Sequence, residues 1–150
     1  MKFYNKKLNL RDKKIGIKMK VLILGGTGML GNAIFRTLSK ESSYQVWATL
    51  RGSEWLPYFN KFEKKQLVNN VDVLDIRRLE EVLDKVQPDI IINCVGLIKQ
   101  INKTNDPLIV LPINALFPHQ LARLCLKIGS RLIHISTDCV FSGRKGMYRE

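Results

Sequence analysis

The chain has 150 residues, of which 45% are apolar and 25% charged, and a formal net charge of +12. That is about one domain's length, with a composition that excludes a disordered or fibrous chain, and no apolar run reaches the ~18 residues of a membrane helix. The three cysteines, Cys94, Cys125 and Cys139, form no C-x-x-C pair and have no histidine at metal spacing; they read as reduced thiols of a cytoplasmic protein without a metal site.

Half of the positive charge lies in residues 1–18, which hold seven Lys/Arg and one Asp. This arm has no helical or strand period and no small-residue cleavage site, so it reads as a basic extension ahead of a domain spanning 19–150. Its only aromatics are Phe3 and Tyr4, too few for a stacking platform, and neither a nucleic acid nor a membrane is expected as a partner.

From Lys20 onward, strand and helix patterns alternate. Val21–Leu24 is a short apolar run ending in glycines, the pattern of a parallel strand buried on both faces. Leu30, Ala33, Ile34, Thr37 and Leu38 follow at helical spacing. Gln45–Leu50 reads as the second strand, Ser53–Phe62 as an ambiguous stretch or short helix carrying Trp55 and Phe59, and Gln66–Val71 as the third strand. Ile76, Leu79, Val82, Leu83 and Val86 predict a helix stopped by Pro88, and Asp89–Cys94 a fourth strand. Pro107, Pro112 and Pro118 punctuate the next segment. Leu121, Leu124, Cys125 and Ile128 predict another helix, ended by Gly129 in the left-handed conformation, before a fifth strand at Arg131–Ser136. Alternation of this kind implies an α/β, Rossmann-type doubly wound parallel sheet of about five strands with right-handed crossovers.

The segment Gly25-Gly26-Thr27-Gly28-Met29-Leu30-Gly31 sits directly after a buried strand and opens a helix. Glycines at 25, 28 and 31 allow a tight turn and close approach of the backbone to a pyrophosphate, and the helix N-terminus supplies unpaired N–H groups. Gly25, Thr27, Gly28, Met29, Leu30 and Gly31 are therefore candidate dinucleotide contacts; the alternative is a turn needed only for helix–sheet packing. The second strand ends Ala48-Thr49-Leu50-Arg51 without a carboxylate. A guanidinium at Arg51 favours a ribose 2′-phosphate, so NADP(H) is preferred and NAD(H) remains open; otherwise Arg51 is a solvated surface residue.

These residues resemble the extended short-chain dehydrogenase/reductase superfamily, and within it the dTDP-4-dehydrorhamnose reductase group. The resemblance is carried by LGGTGMLG (24–31), VDVLD (71–75), PDIIINCVG (88–96), PINALFPHQLA (112–122) and HISTDCVFSG (134–143). It implies that Asp72 and Val73 flank the adenine, and that Cys94, Val95 and Gly96 pass the ribose and nicotinamide side of the cofactor. It implies that Asn114 supports an active-site water network and that Thr137 hydrogen-bonds a substrate carbonyl. Local alternatives stand beside each role: Asp72 and Asp75 as caps of the helix at Ile76, Asn114 bonded to its own backbone, and Ser136-Thr137-Asp138 as a strand-end turn. His134 reads as structural.

The family's proton donor is a Tyr-x-x-x-Lys pair. Tyr4, Tyr44 and Tyr58 are followed four residues later by Leu8, Ala48 and Phe62, and Tyr148 lies two residues from Glu150. The expectation is therefore the N-terminal cofactor portion of a nucleotide-sugar oxidoreductase, inactive alone, without the sixth strand and substrate domain, and exposing its fifth strand as an edge. The partner implied is a nucleotide-sugar substrate in the full-length enzyme, with a homodimer compatible. The alternatives are a non-catalytic dinucleotide-binding scaffold, like the regulatory subunit of methionine adenosyltransferase, or half of a nucleotide-sugar epimerase or dehydratase.

Overall fold

The computed structural model describes residues 18–97, 106–136 and Gly146. The basic arm up to residue 17 and the segment 137–143, Thr137 included, lie outside the described residues.

Among the described residues, five parallel strands form one sheet in the order β3-β2-β1-β4-β5. They are β1 (Met19–Leu24), β2 (Tyr44–Thr49), β3 (Leu67–Val68), β4 (Ile90–Asn93) and β5 (Arg131–His134). Side chains of β1 alternate between the faces. Val21 and Ile23 join Phe35, Val46, Ala48, Leu50, Phe59 and Ile92 on one side. Leu22 and Leu24 join Ile91, Leu79, Val82, Leu83, Phe117 and Leu121 on the other. The first core lies under α1 (Met29–Leu38); the second lies under α3 (Ile76–Val86) and α5 (Phe117–Ile128). With both faces covered, β1 needs the continuous apolar run it has.

Local chemistry sets the helix ends. Asp75 caps α3 by accepting from the Arg78 N–H, and Gln87 ends it at φ 49° just before Pro88. Gly129 ends α5 at φ 75°, as its position after Ile128 predicts.

Four expectations need correction. The buried face of α1 is Gly31 and Phe35, flanked by the partly buried Ile34 and Leu38. Leu30, Ala33 and Thr37 are exposed. Phe35 wins the inward position because its ring meets Phe59 edge-on at 6.0 Å. The third strand shrinks to Leu67–Val68, since the chain leaves the sheet at Asn70, with φ 56°. The fifth strand closes at His134.

The three prolines do not interrupt the next segment. Pro107 opens α4 (Pro107–Leu111) at its first position, where no N–H is needed, and Asp106 caps it. Pro112 then starts a π-turn (Pro112–Leu116), closed by the Phe117 N–H donating to the Pro112 carbonyl, and α5 follows directly. In a regular α-helix the ring of Pro118 would clash with the Asn114 carbonyl four residues back, and the wider turn makes room for it. The resulting helical run, Pro107–Ile128, is long and apolar enough to cross a membrane by length and composition. In this fold its Phe117, Leu121 and Cys125 are packed into the sheet core.

β5 is one edge of the sheet among the described residues, opposite β3, with Ile133 and Ile135 exposed. Burial pushes the thiol of Cys125 from its ordinary 9.0 up to about 11. A thiol whose pKa is raised by folding stabilises the native state below its unfolded pKa, and that contribution is lost as pH rises through the folded value. The melting temperature should therefore fall between pH 9.0 and about 11, and Cys125→Ala should show a shallower fall when both proteins are melted across that range.

Candidate functional site

Strand order reverses direction at β1, since β2 and β4 flank it and the crossovers diverge to opposite faces. Crevices at such points, beyond the C-terminal ends of the strands, are where open α/β sheets bind ligands. Two loops form this one: residues 25–28 after β1 and 94–97 after β4.

The first loop depends on missing side chains. Gly25 adopts φ 87°, and its N–H lies 3.3 Å from Thr49 Oγ1. A β-carbon on Gly26 would sit 2.8 Å from Ala48 Cβ, and the Gly26 N–H donates to the Thr49 carbonyl at 2.9 Å. A β-carbon on Gly31 would collide with the Gly25 carbonyl oxygen and lie 2.9 Å from its carbon. The glycine pattern therefore serves packing, and the same packing aims α1 at the crevice. Gly28 is the N-cap of α1 and brings no side-chain cap, and the first turn holds no acid. The N–H groups of Met29, Leu30 and Gly31 thus keep the open donors of a helix start. The side chain of Met29 is 92% exposed and that of Leu30 is also exposed, so both residues can contribute backbone rather than side-chain contacts. Thr27 is half-buried beside them.

The second loop is pinned from two sides. Asn93, buried at the end of β4, accepts from the Val95 N–H at 3.0 Å through Oδ1. Its Nδ2 then faces His134 Nδ1 at 3.1 Å, which makes that ring nitrogen the acceptor. Asn114, in the π-turn, clamps the backbone of Leu97: Oδ1 accepts from its N–H at 2.8 Å and Nδ2 donates to its carbonyl at 2.9 Å. Asn114 therefore bonds the Leu97 backbone rather than its own helix, and so holds the loop. The two loops touch where a β-carbon on Gly25 would meet Val95 Cγ2 at 3.0 Å and the Cys94 carbonyl at 3.4 Å. Cys94 packs toward the α1 side and Val95 toward the α3–α5 side, while Gly96 is exposed. Burial raises the Cys94 thiol above its ordinary range, which keeps it protonated and a poor nucleophile.

The remaining predicted residues border the crevice at the β2 and β3 ends. Arg51 is exposed immediately after Leu50, and the Leu50 carbonyl accepts from Val71 N–H at 3.0 Å. Asp72 is exposed and its Oδ1 accepts from Leu74 N–H at 2.9 Å; the helix cap is Asp75. Val73 packs its side chain into the core. No cluster of three or more His, Cys, Asp or Glu that could hold a metal occurs among the described residues. Sequence reading did not single out Asn93 as a site residue, although an amide closing the apolar run DIII was a visible signal for a buried polar role.

Residues 19–150 match the RmlD substrate binding domain family. Over 133 residues the chain is 31% identical to a Haloferax volcanii protein named "Probable low-salt glycan biosynthesis reductase Agl14", covering 88% of this chain and 42% of that one. It is 30% identical over 131 residues to methionine adenosyltransferase 2 subunit beta of Bos taurus, covering 87% and 36%. The crystal structure of dTDP-4-dehydrorhamnose reductase from Bacillus anthracis in complex with NADP superposes with a TM-score of 0.67 at 25% identity, covering 89% of this chain and 41% of that one. The chain thus spans 36–42% of the length of these relatives.

Gly31→Ala places a methyl against backbone that cannot swing aside. It should lower stability by about 1–3 kcal/mol, measured by urea unfolding, whereas Gly28→Ala, whose β-carbon meets only the Gly25 carbonyl at 3.4 Å, should cost much less.

Proposed function

Because the chain belongs to the RmlD substrate binding domain family, we propose that it is the dinucleotide-binding portion of a nucleotide-sugar oxidoreductase of the dTDP-4-dehydrorhamnose reductase kind. The observation that carries this is the uncapped start of α1, aimed into the strand-reversal crevice by glycines that admit no side chain. Open N–H donors there suit a pyrophosphate. The donor set fits the rest of a dinucleotide as well. Arg51 would hold the 2′-phosphate of NADP(H), and Asp72, with one carboxylate oxygen bonded to Leu74 N–H, would receive the adenine amine through the other. The backbone of 94–96 would border the ribose and nicotinamide side.

The bound cofactor would supply the hydride for a 4-keto deoxysugar nucleotide. What this chain contributes is orientation. Asn93 and Asn114 hold the 94–97 loop in one register, and Thr137 would donate a hydrogen bond to the substrate carbonyl. A cytoplasmic location suits the free thiols of Cys94 and Cys125.

A second reading, a non-catalytic dinucleotide-binding scaffold, is favoured by the similarity to methionine adenosyltransferase 2 subunit beta. Half of an epimerase or dehydratase shares the same crevice. All three readings require the dinucleotide.

Titration of the purified chain with NADPH and with NADH tests the common premise. NADPH should bind more tightly, and Arg51→Ala should weaken it about tenfold or more, the value of a charge-assisted contact, with little change for NADH. Equal binding that ignores Arg51→Ala would overturn the assignment of that residue. Turnover of a keto-sugar nucleotide by the full-length protein separates the enzyme from the scaffold.

A further inference from the structure

The near end of the 94–97 loop hangs on an amide that is itself held by a titratable ring. Asn93 and His134 are register partners on β4 and β5, and the Ile135 N–H donates to the Asn93 carbonyl at 3.2 Å, so the backbone keeps the two side chains adjacent. They lie two residues beyond Ile91 and Leu132, which pack on the α3–α5 side, and therefore share that face of the sheet. Asn93 is 1% exposed, so its amide has no route to solvent, whereas His134 is exposed.

The amide is committed at both ends. Its Oδ1 accepts from the Val95 N–H at 3.0 Å, which leaves Nδ2 to donate to His134 Nδ1 at 3.1 Å. Only an unprotonated Nδ1 can accept that bond. A proton on Nδ1 sets two donors against each other, and a buried donor without a partner is costly. Turning the amide over relieves the ring, because Oδ1 then accepts from a charged donor, the stronger kind of bond. The same rotation points Nδ2 at the Val95 N–H and breaks that contact. The far end of the loop has no such dependence: Leu97 is held by the Asn114 amide, which does not titrate.

We propose that His134 is a positioning residue: through Asn93 it fixes the near end of the 94–97 loop, and it releases the Val95 N–H when the ring is protonated. Its bearing on cofactor binding rests on the dinucleotide reading above, in which residues 94–96 border the ribose and nicotinamide. Among the described residues, β4 and α5 are the elements packed most extensively against β5. β4 carries no ionisable side chain, and Cys94 just beyond it is kept protonated by burial. On α5, Cys125 is buried, Lys127 pairs with Glu80 at 3.1 Å, and His119 and Arg123 are exposed. On β5 itself, Arg131 is exposed and alternates to the opposite face from His134.

The test is amide hydrogen exchange by NMR on the full chain and on His134→Asn, each first shown to melt cooperatively. Exchange is compared at about pH 8 and about pH 5.5, which span the range over which an imidazole gains its charge. Protection factors remove the intrinsic pH dependence of exchange. In the unsubstituted chain the protection of Val95 should fall about tenfold at the lower pH, the scale of one hydrogen bond, while that of Leu97 should change far less. His134→Asn offers an acceptor oxygen in place of Nδ1 and cannot titrate, so Val95 should stay protected at both pH values. Val95 protection that ignores pH in the unsubstituted chain overturns the inference whatever the variant does. A fall that persists in His134→Asn, or an equal fall at Leu97, overturns it as well. Calorimetric titration with NAD+, whose ribose 2′-hydroxyl does not titrate, should show weaker binding at the lower pH in the unsubstituted chain only. NAD+ affinity indifferent to the release of Val95 overturns the link to the cofactor. A chain that shows the Val95 pattern and binds no dinucleotide at either pH overturns the dinucleotide reading and leaves the positioning role of His134 standing.

Discussion

The carbonyl oxygen of Gly25 occupies the space that a β-carbon on residue 31 would need. This backbone contact brings the first turn of α1 directly onto the end of β1, and most of the site follows from it. With α1 so close, Phe35 reaches the core formed by Val21, Ile23 and Val46 and meets Phe59. The helix axis is thereby set, and its uncapped N–H groups point into the space above the sheet. The neighbouring Gly26 extends the same principle to β2, where Ala48 leaves no room for a side chain.

The loop across the crevice is held differently. It has one glycine, Gly96, and bulkier residues at 94 and 95, so its shape comes from hydrogen bonds to amide side chains. Asn93 turns the chain at the end of β4, and Asn114 grips Leu97 from the helical run on the far side. Asn114 can do so because the π-turn lies where it does. That turn makes room for Pro118 in a helix that continues through it into α5, anchored on the sheet by Phe117 and Leu121. The prolines that look like breaks in the sequence are thus part of what positions a site residue. Local backbone chemistry at Pro118 and tertiary packing at 117–121 meet in one amide.

Periodicity and punctuation were enough to order five strands and the main helices, and to place the glycine loop between β1 and α1. They failed where two partners competed for one position. Ala33 and Phe35 are both plausible inward residues of α1; the edge-on ring of Phe59, more than twenty positions away, decides for Phe35. By pattern, Gln66–Val71 reads as one strand. The left-handed Asn70 takes Val71 out of the ladder and into the α3 core. Asp72 and Asp75 carry the same side chain three residues apart, and only the geometry separates the helix cap from the turn residue.

By itself the sequence determined the parallel α/β class, the glycine-dependent turn and the family, because these rest on local rules: short apolar runs, helix-stop residues and the absence of side chains where backbones must touch. The tertiary structure decided which polar groups face each other. Asn114 with Leu97 and Asn93 with His134 each depend on how far the chain turns between them. Spacing along a chain does not encode that distance: a hydrogen-bond partner is selected to within a few tenths of an ångström by the packing of the elements that carry it.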